Sequence, residues 1–408
     1  MKNFIAAILV AVLISVPSCS RTGADLHLGK SRRENDPGIS EPRNNSHGSG
    51  LTPDGRTVYA SGIEYPDGND WVRDTAYGKV SCKLVLFAGK ERILSIEAGP
   101  GREVSPDPDM FRIRKGHIFS DYSTENETVI RKDGIELFRY PGREMMKGFL
   151  LVGESVHTLG ESREGKGFTY RIDGKCIFER KEGKIVGEMG NPAFEGGALY
   201  EDEGHVYFSY TGTSLEKTEL FVVKDGEPSK VGLSDYTTEV FDCRIKDGKM
   251  YRIENRGEAP GNPYIICGES VKFCARYING KRTAFGCRIL RSGEDFLAGG
   301  YYNYDDSRIL RALWNKNGIL ETAFGALGTY VSDGSRADVS TDEGGVSIIL
   351  DGEEIRLFGS YRLYSPVCFT MSDTDYAIAL SGPSPIIRYN ETVYPLTING
   401  PLTEVRVE

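Results

Sequence analysis

Short apolar runs that alternate with polar positions recur along this chain, in pairs joined by Asp-Gly, Asn-Gly or a close variant. One pair reads VIRKDGIELF from Val129 to Phe138, and another reads YRIDGKCIF from Tyr170 to Phe178. FVVKDGEPSKV follows from Phe221, RYINGKRTAF from Arg276, LWNKNGILETAF from Leu313 and IILDGEEIRLF from Ile348. Looser copies are VLFAGKERILSI from Val85 and IIRYNETVYPL from Ile386. A period of two sends alternate side chains to opposite faces of a strand. Asp-Gly supplies the two positive φ angles of a type I′ turn, so each pair predicts a β-hairpin. The helical apolar period of about 3.6 residues is not found in any window of useful length.

The turn positions Gly89, Gly134, Gly174, Gly226, Gly280, Gly318, Gly352 and Asn390 recur at intervals of roughly 34 to 54 residues, around the ~40 to 45 residues of a four-stranded propeller blade. Upstream of most hairpins lie two further strand-like runs, such as ALYED and HVYFSYTG before FVVKDG. Each unit therefore reads as four antiparallel strands, a to d. The expected fold class is all-β, a β-propeller of four-stranded antiparallel blades. Eight units fit; seven is the alternative, because the unit at about Tyr330 to Phe358 is short. The first unit lacks an a strand, and the run Leu402 to Val407 (LTEVRV) lacks a partner. Pairing these two would close the ring and remove sheet edges that otherwise invite aggregation.

Ahead of the repeats the pattern changes. Met1-Lys2-Asn3 precedes an apolar run from Phe4 to Val16, the layout of a secretory signal peptide. That run is too short for the roughly 20 residues of a membrane-spanning helix. It ends Val16-Pro17-Ser18-Cys19. An aliphatic residue three places before a cysteine and a small one just before it resemble the lipobox of bacterial lipoproteins, with Pro17 departing from the commonest pattern. The resemblance implies removal of residues 1–18 and lipid attachment at Cys19. Residues 19–50 are rich in Ser, Asn, Gly, Arg, Asp and Pro, too polar to build a core, and are expected to tether a propeller domain at 51–408. Several acyl chains on one residue would anchor the protein to a membrane. Ser20 after the cysteine favours the outer membrane, and the lack of an acidic cluster behind it favours the periplasmic side over the cell surface.

Composition narrows the partners. The net charge is −9 and no Lys/Arg block occurs, so nucleic acid is not an expected partner. The 49 glycines and 22 tyrosines fit a turn-rich sheet protein. Apart from Cys19 there are Cys82, Cys176, Cys243, Cys267, Cys274, Cys287 and Cys368. Most lie in strand-like runs, where cysteine behaves as a small buried hydrophobe. Cys267 and Cys274 are spaced to pair across a hairpin, but there is no CxxC or zinc spacing. His117, His157 and His205 each fall early on a strand without HxH or HExxH, and read as structural. No metal, cofactor or catalytic constellation is assigned.

Val58-Tyr59-Ala60-Ser61-Gly62, Leu297-Ala298-Gly299-Gly300-Tyr301 and Ala312-Leu313-Trp314-Asn315-Lys316-Asn317-Gly318 resemble the repeats of the uncharacterised propeller-repeat lipoproteins of the Bacteroidetes. That family has no assigned activity, so the resemblance implies fold and address rather than chemistry. The sialidase marker Ser-x-Asp-x-Gly-x-x-Trp has one degenerate match, Ser340 to Gly344, without the tryptophan.

Loop composition gives the functional expectation. In a propeller the b–c and d–a loops share one face. The b–c loop of unit one reads Tyr65 to Arg73 (YPDGNDWVR) and that of unit six Tyr301 to Asp306 (YYNYDD), while unit five carries an insertion from Arg256 to Tyr264 (RGEAPGNPY). Aromatic faces beside amides and carboxylates suit a sugar or a peptide. The candidate ligand residues are Trp71, Asp70, Arg73, Tyr301, Tyr302, Tyr304 and Asp305. The expected function is a monomeric, envelope-anchored, non-catalytic propeller that binds a glycan, peptide or protein on this face. The alternatives are a carbohydrate-active hydrolase or lyase with a site in the central channel, and a structural component of an envelope complex.

Overall fold

A computed structural model describes residues 55–66, 80–100, 102, 111–162, 167–187, 196–213, 217–256, 263–273, 284–294, 296–303, 309–315, 320–323, 326–332, 335–342, 345–350, 353–358, 368–370, 376–382 and 384–408. Among them there is no helix, and the strands form eight antiparallel sheets built on four strands each. The first sheet takes Val58–Glu64, Cys82–Ala88 and Glu91–Ala98 from one end of the chain and Leu402–Val407 from the other. The second holds Phe111–Arg114, His117–Ser123, Glu127–Lys132 and Ile135–Pro141, and the third Glu144–Val152, Ser155–Ser162, Phe168–Ile172 and Lys175–Arg180. The fifth runs Thr237–Lys246, Lys249–Arg256, Pro263–Cys267 and Ser270–Phe273. The sixth, seventh and eighth start at Ala284–Arg291, Ala326–Ser332 and Cys368–Thr370.

The hairpin turns behave as the sequence predicts. Asp133 and Gly134 have φ of 52° and 82°, Asp173 and Gly174 49° and 76°, and Asp225 and Gly226 50° and 93°, the paired left-handed residues of a type I′ turn. The aspartate has a second task that the turn type does not require. Its carboxylate reaches back across the sheet and accepts the amide at the start of the b strand. Ile118 N donates to Asp133 at 2.9 Å, Val156 N to Asp173 at 2.8 Å and Val206 N to Asp225 at 2.8 Å. Asn390 does the same for Tyr376 N at 2.8 Å. The turn thereby ties three strands rather than two. Two of the glycines are required twice over, for a Cβ at Gly174 would meet Phe138 at 3.0 Å and one at Gly226 would meet Ile177 at 2.6 Å. Both contacts come from the d strand of the preceding sheet.

Each apolar cluster spans two sheets. Ile63, Leu84 and Leu86 of the first pack with Ile113 and Ile118 of the second. Phe119 and Ile130 meet Phe149 and Val156 of the third. Leu159, Phe168 and Tyr170 meet Val206, Phe208 and Tyr210 of the fourth. Leu220 and Val222 meet Val240 and Cys243, and Ile253 and Ile265 meet Ile289, Ala298 and Trp314 of the sixth. The eighth sheet packs on the first through Ala377, Ala379 and Ile387 against Val58, Ala60 and Val85. The a strands also lie side by side: 237–246 beside 284–291, then 326–332, 368–370, 402–407 and 111–114 in turn.

The fourth sheet departs from the simple pattern. Its a strand comes in two pieces, Lys184–Val186 against Ser209 to Thr211 and Tyr200–Asp202 against His205 to Tyr207. Between them the chain leaves the sheet. Gly187 N donates to Phe241 O of the fifth sheet at 3.2 Å. Gly196–Gly197 adds a short fifth strand to the third sheet, paired with Phe149 and Gly148. The run ALYED is thus only half of the expected strand.

Because the b-strand amide needs an acceptor but not a charge, Asp225→Asn should leave stability nearly unchanged, as Asn390 shows within the same chain. Asp225→Ala should lower the unfolding free energy by about 1–3 kcal/mol, read from the midpoint of a urea transition. Equal loss in both variants would mean that the carboxylate charge, beside His205, is what counts.

Candidate functional site

Strand direction defines two faces. Turns such as Lys115-Gly116 and Asp133-Gly134 lie at one end of the sheets, and the b–c and d–a connections lie at the other. On this loop face, at the first sheet, Tyr65 N donates to Asn399 O at 2.9 Å, and Ile63 N to Pro401 O at 2.9 Å. Asn399 Nδ2 returns hydrogen bonds to Tyr65 O at 3.3 Å and Pro66 O at 2.9 Å. The root of the unit-one loop is therefore pinned to the connection that leads into Leu402–Val407. Tyr65, read from sequence as part of the exposed loop, is buried among Ile63, Leu84 and Ile96.

Asp70, Trp71 and Arg73 lie outside the described residues, as do Tyr304, Asp305 and Cys19. Tyr301 and Tyr302 are described and sit inside the strand Leu297–Asn303, where Tyr301 pairs with Phe285 and Arg311, and Tyr302 with Ala284 and Leu310. The strand runs three residues further than the sequence reading, which began the loop at Tyr301.

The described part of the loop face is best formed between the fourth and fifth sheets. The connection Leu233 to Thr237 is a tight turn in which Thr237 N donates to Ser234 O at 3.0 Å and Tyr236 N to Ser234 Oγ at 3.3 Å. That turn holds Tyr236 out in solvent at 60% exposure. Asp235 beside it pairs with Lys217 at 2.7 Å. Each partner stabilises the charged form of the other, lowering the Asp235 carboxyl and raising the Lys217 ammonium. On the adjoining strands, Thr237 is the register partner of Arg256. Arg256 and Tyr264, the two ends of the unit-five insertion, stack with the guanidinium 4.4 Å from the ring centre. Beneath them Glu254 is fully buried and accepts from Arg252 at 2.8 Å and Arg256 at 2.7 Å. The sequence marked the insertion by its length; Tyr236, a lone tyrosine in an ordinary turn, left no such mark.

The a strands carry the charges that a channel site would use. Glu404 accepts Ile113 N of the next sheet at 2.8 Å on one oxygen. Its other oxygen receives Arg406 at 3.0 Å and Arg114 at 3.4 Å. Asp242 repeats the device four sheets away, accepting Ile289 N at 2.8 Å on one oxygen and Cys243 N at 2.8 Å and Arg244 at 3.3 Å on the other. Both acids are buried. Their oxygens hold neighbouring sheets together, and each is already met by a protein donor.

Among the described residues, three cysteines and the histidines are held by the fold. Burial pushes the Cys82 thiol up to about 11 and Cys243 up to about 12, and raises Cys287 as well, so these thiols stay protonated and unreactive. Cys176 departs from the expected core position and is exposed on an outer strand; Cys368 opens the first strand of the eighth sheet, and Cys274 lies outside the described residues. His117 and His205 take matching places, each with Nδ1 2.6 Å from the turn aspartate, Asp133 and Asp225. His157 differs: it is buried, with Nδ1 2.7 Å from Tyr170 OH.

No protein-family model matches the chain, and no curated protein matches it. Among solved structures it is similar to the polysaccharide lyase Uly1, with 10% identity, 72% of this chain and 90% of that one covered, and a TM-score of 0.39. A puromycin-hydrolyzing peptidase of Mycobacterium tuberculosis gives 10% identity, 71% and 52% coverage and a TM-score of 0.41. Apo AztD of Citrobacter koseri gives 10%, 86%, 98% and 0.31. Likenesses this distant say nothing about what the chain binds or does.

Burial lowers the His157 pKa below the free value, near 6.5. A depressed folded value means that the unfolded chain takes up the proton first. The stability from neutral His157 is complete above pH ~6.5 and is lost as pH falls from there through the folded value. The melting temperature should therefore drop between pH 7 and 5, with a shallower drop in His157→Gln. Parallel pH profiles for the two proteins would exclude His157 as the source.

Proposed function

We propose that this chain is an outer-membrane lipoprotein, anchored at Cys19 and facing the periplasm. In this reading its eight sheets close into a ring as an eight-bladed β-propeller whose loop face binds a glycan, peptide or protein without chemically altering it. The address rests on the apolar run 4–16 and the Val16-Pro17-Ser18-Cys19 sequence, together with the resemblance to the Bacteroidetes propeller-repeat lipoproteins. Ring closure is supported by the pairing of Val58 with Val407 and Ala60 with Val405, and by the cluster that joins the eighth sheet to the first.

The observation that carries the binding reading over a hydrolase or lyase is the commitment of Glu404 and Asp242. Acid–base catalysis at a glycosidic bond uses two carboxyl groups open to the substrate. Here the described buried acids of the a strands, Glu144, Asp202, Asp242 and Glu404, are occupied by backbone amides, arginines or a lysine. Asp70, Trp71, Arg73, Tyr301, Tyr302, Tyr304 and Asp305 remain the ligand residues we assign to this face from sequence.

Two experiments test this. Cys19→Ser should move the protein from the membrane fraction to the soluble envelope fraction and abolish incorporation of labelled fatty acid; unchanged fractionation would refute the anchor. For binding, the full chain carrying Cys19→Ser is screened on a glycan array and by thermal shift, beside Trp71→Ala. A ligand that raises the parent's melting temperature, loses that effect in Trp71→Ala and is recovered intact would support the reading. Turnover of the ligand in the same wells would favour the enzyme instead.

A further inference from the structure

The loop face between the fourth and fifth sheets carries a feature that the fold itself does not use. Tyr236 stands 60% exposed on a turn closed by the Thr237 N to Ser234 O bond and braced by Ser234 Oγ. An aromatic ring left in water forgoes the stabilisation of burial, roughly 1.5–3 kcal/mol for a large side chain. The backbone that carries the ring is fixed by those two hydrogen bonds. Its surroundings are equally fixed. Thr218 Oγ1 donates to Thr238 O at 3.1 Å and Thr238 Oγ1 to Asn255 O at 3.3 Å, which lashes the turn to the fourth and fifth sheets. One residue along, Thr237 faces Arg256, which is stacked on Tyr264 and bound to buried Glu254.

The flanking pair defines the ligand chemistry. Lys217 and Asp235 are 64% and 81% exposed and 2.7 Å apart. A ligand that reaches both meets an ammonium donor and a carboxylate acceptor side by side. A free anion is repelled by the carboxylate and a free cation by the ammonium. A hydroxyl both donates and accepts, so adjacent hydroxyls satisfy the two together. An exposed ring one residue along the same turn from such a pair matches a sugar, which presents C–H groups on one side and hydroxyls at its edge.

We infer that Tyr236, with the Lys217–Asp235 pair beside it, forms a binding site for a neutral saccharide unit on the loop face at the junction of the fourth and fifth sheets. This rests on the loop face being the binding face. It differs in placing the contact at Tyr236 rather than at Trp71 and Tyr302, and in naming an uncharged sugar.

The test is isothermal titration of the full chain carrying Cys19→Ser. The probes are cellotriose, mannotriose and maltotriose, with trigalacturonate and an acidic tetrapeptide as charged competitors. At least one neutral trisaccharide should bind. Tyr236→Ala should weaken it about tenfold, the equivalent of ~1.4 kcal/mol, while Tyr236→Phe should bind as the parent does. Asp235→Asn should weaken binding less than Tyr236→Ala. Tyr236 packs in no core cluster, so an unchanged melting temperature keeps loss of binding distinct from loss of fold. Neutral-sugar binding that survives Tyr236→Ala but fails in Trp71→Ala would overturn this site and leave the loop-face reading standing. Binding of only the charged probes would overturn the assignment to a neutral sugar. If none of the probes binds while an array ligand still depends on Trp71, the site is again refuted and the broader reading is not.

Discussion

A four-stranded sheet has two faces and cannot bury either by itself. Packing of each sheet against the next is the constraint on which the rest of this structure depends. Every described cluster of buried residues is shared between two sheets, from Leu86 with Ile118 to Tyr251 with Phe296. This explains the near absence of polar alternation in strands such as Cys82–Ala88 and Tyr376–Leu380. Sheets with both faces covered show continuous apolar runs, as parallel sheets do, whereas the outermost strands Lys175–Arg180 and Glu227–Val231 are mostly exposed.

Polar groups serve the same end. Except in the third sheet, where Gly196–Gly197 pairs with it, the a strand of each described sheet leaves one edge without a sheet partner, and buried amides there need acceptors. Glu404 and Asp242 supply them to Ile113 and Ile289, and the arginine two residues on offsets the buried charge. A carboxylate used in this way is hard to recruit for chemistry. Removing a proton donor from it would leave a buried charge unpaired, at a cost of several kcal/mol. Glu144 and Arg171 make a comparable pair within the third sheet, at 2.7 and 2.9 Å, with the guanidinium over Tyr140. Among the described residues, the buried charges serve largely as a scaffold.

Hairpins were legible in the sequence because Asp-Gly encodes backbone geometry directly, and Asp133, Asp173 and Asp225 adopt it. The a strands were harder to read. In the fourth sheet that strand is split, and nothing local marks where Lys184–Val186 stops and Tyr200–Asp202 resumes. Tyr65 and Cys176 show the limits of residue type: a tyrosine in a polar loop is buried because its backbone is pinned to Asn399, and a cysteine in an apolar run is exposed because that run is an outer strand. At the loop face, the ends of the Arg256–Tyr264 insertion could be found from length alone. Tyr236 could not, because exposure depends on how Ser234 closes its turn.

The pairing of Val58–Glu64 with Leu402–Val407 joins residues more than 300 positions apart, whereas the other sheets draw their four main strands from contiguous chain. Those sheets can form from local contacts, and loop closure adds little to their entropy cost. The first sheet has to wait until nearly the whole chain has been made. Until then Val58–Glu64 presents an open, apolar strand edge, the kind of surface that recruits foreign strands. The pairing with the greatest loop entropy to overcome among the described sheets is therefore that of Leu402–Val407 with Val58–Glu64.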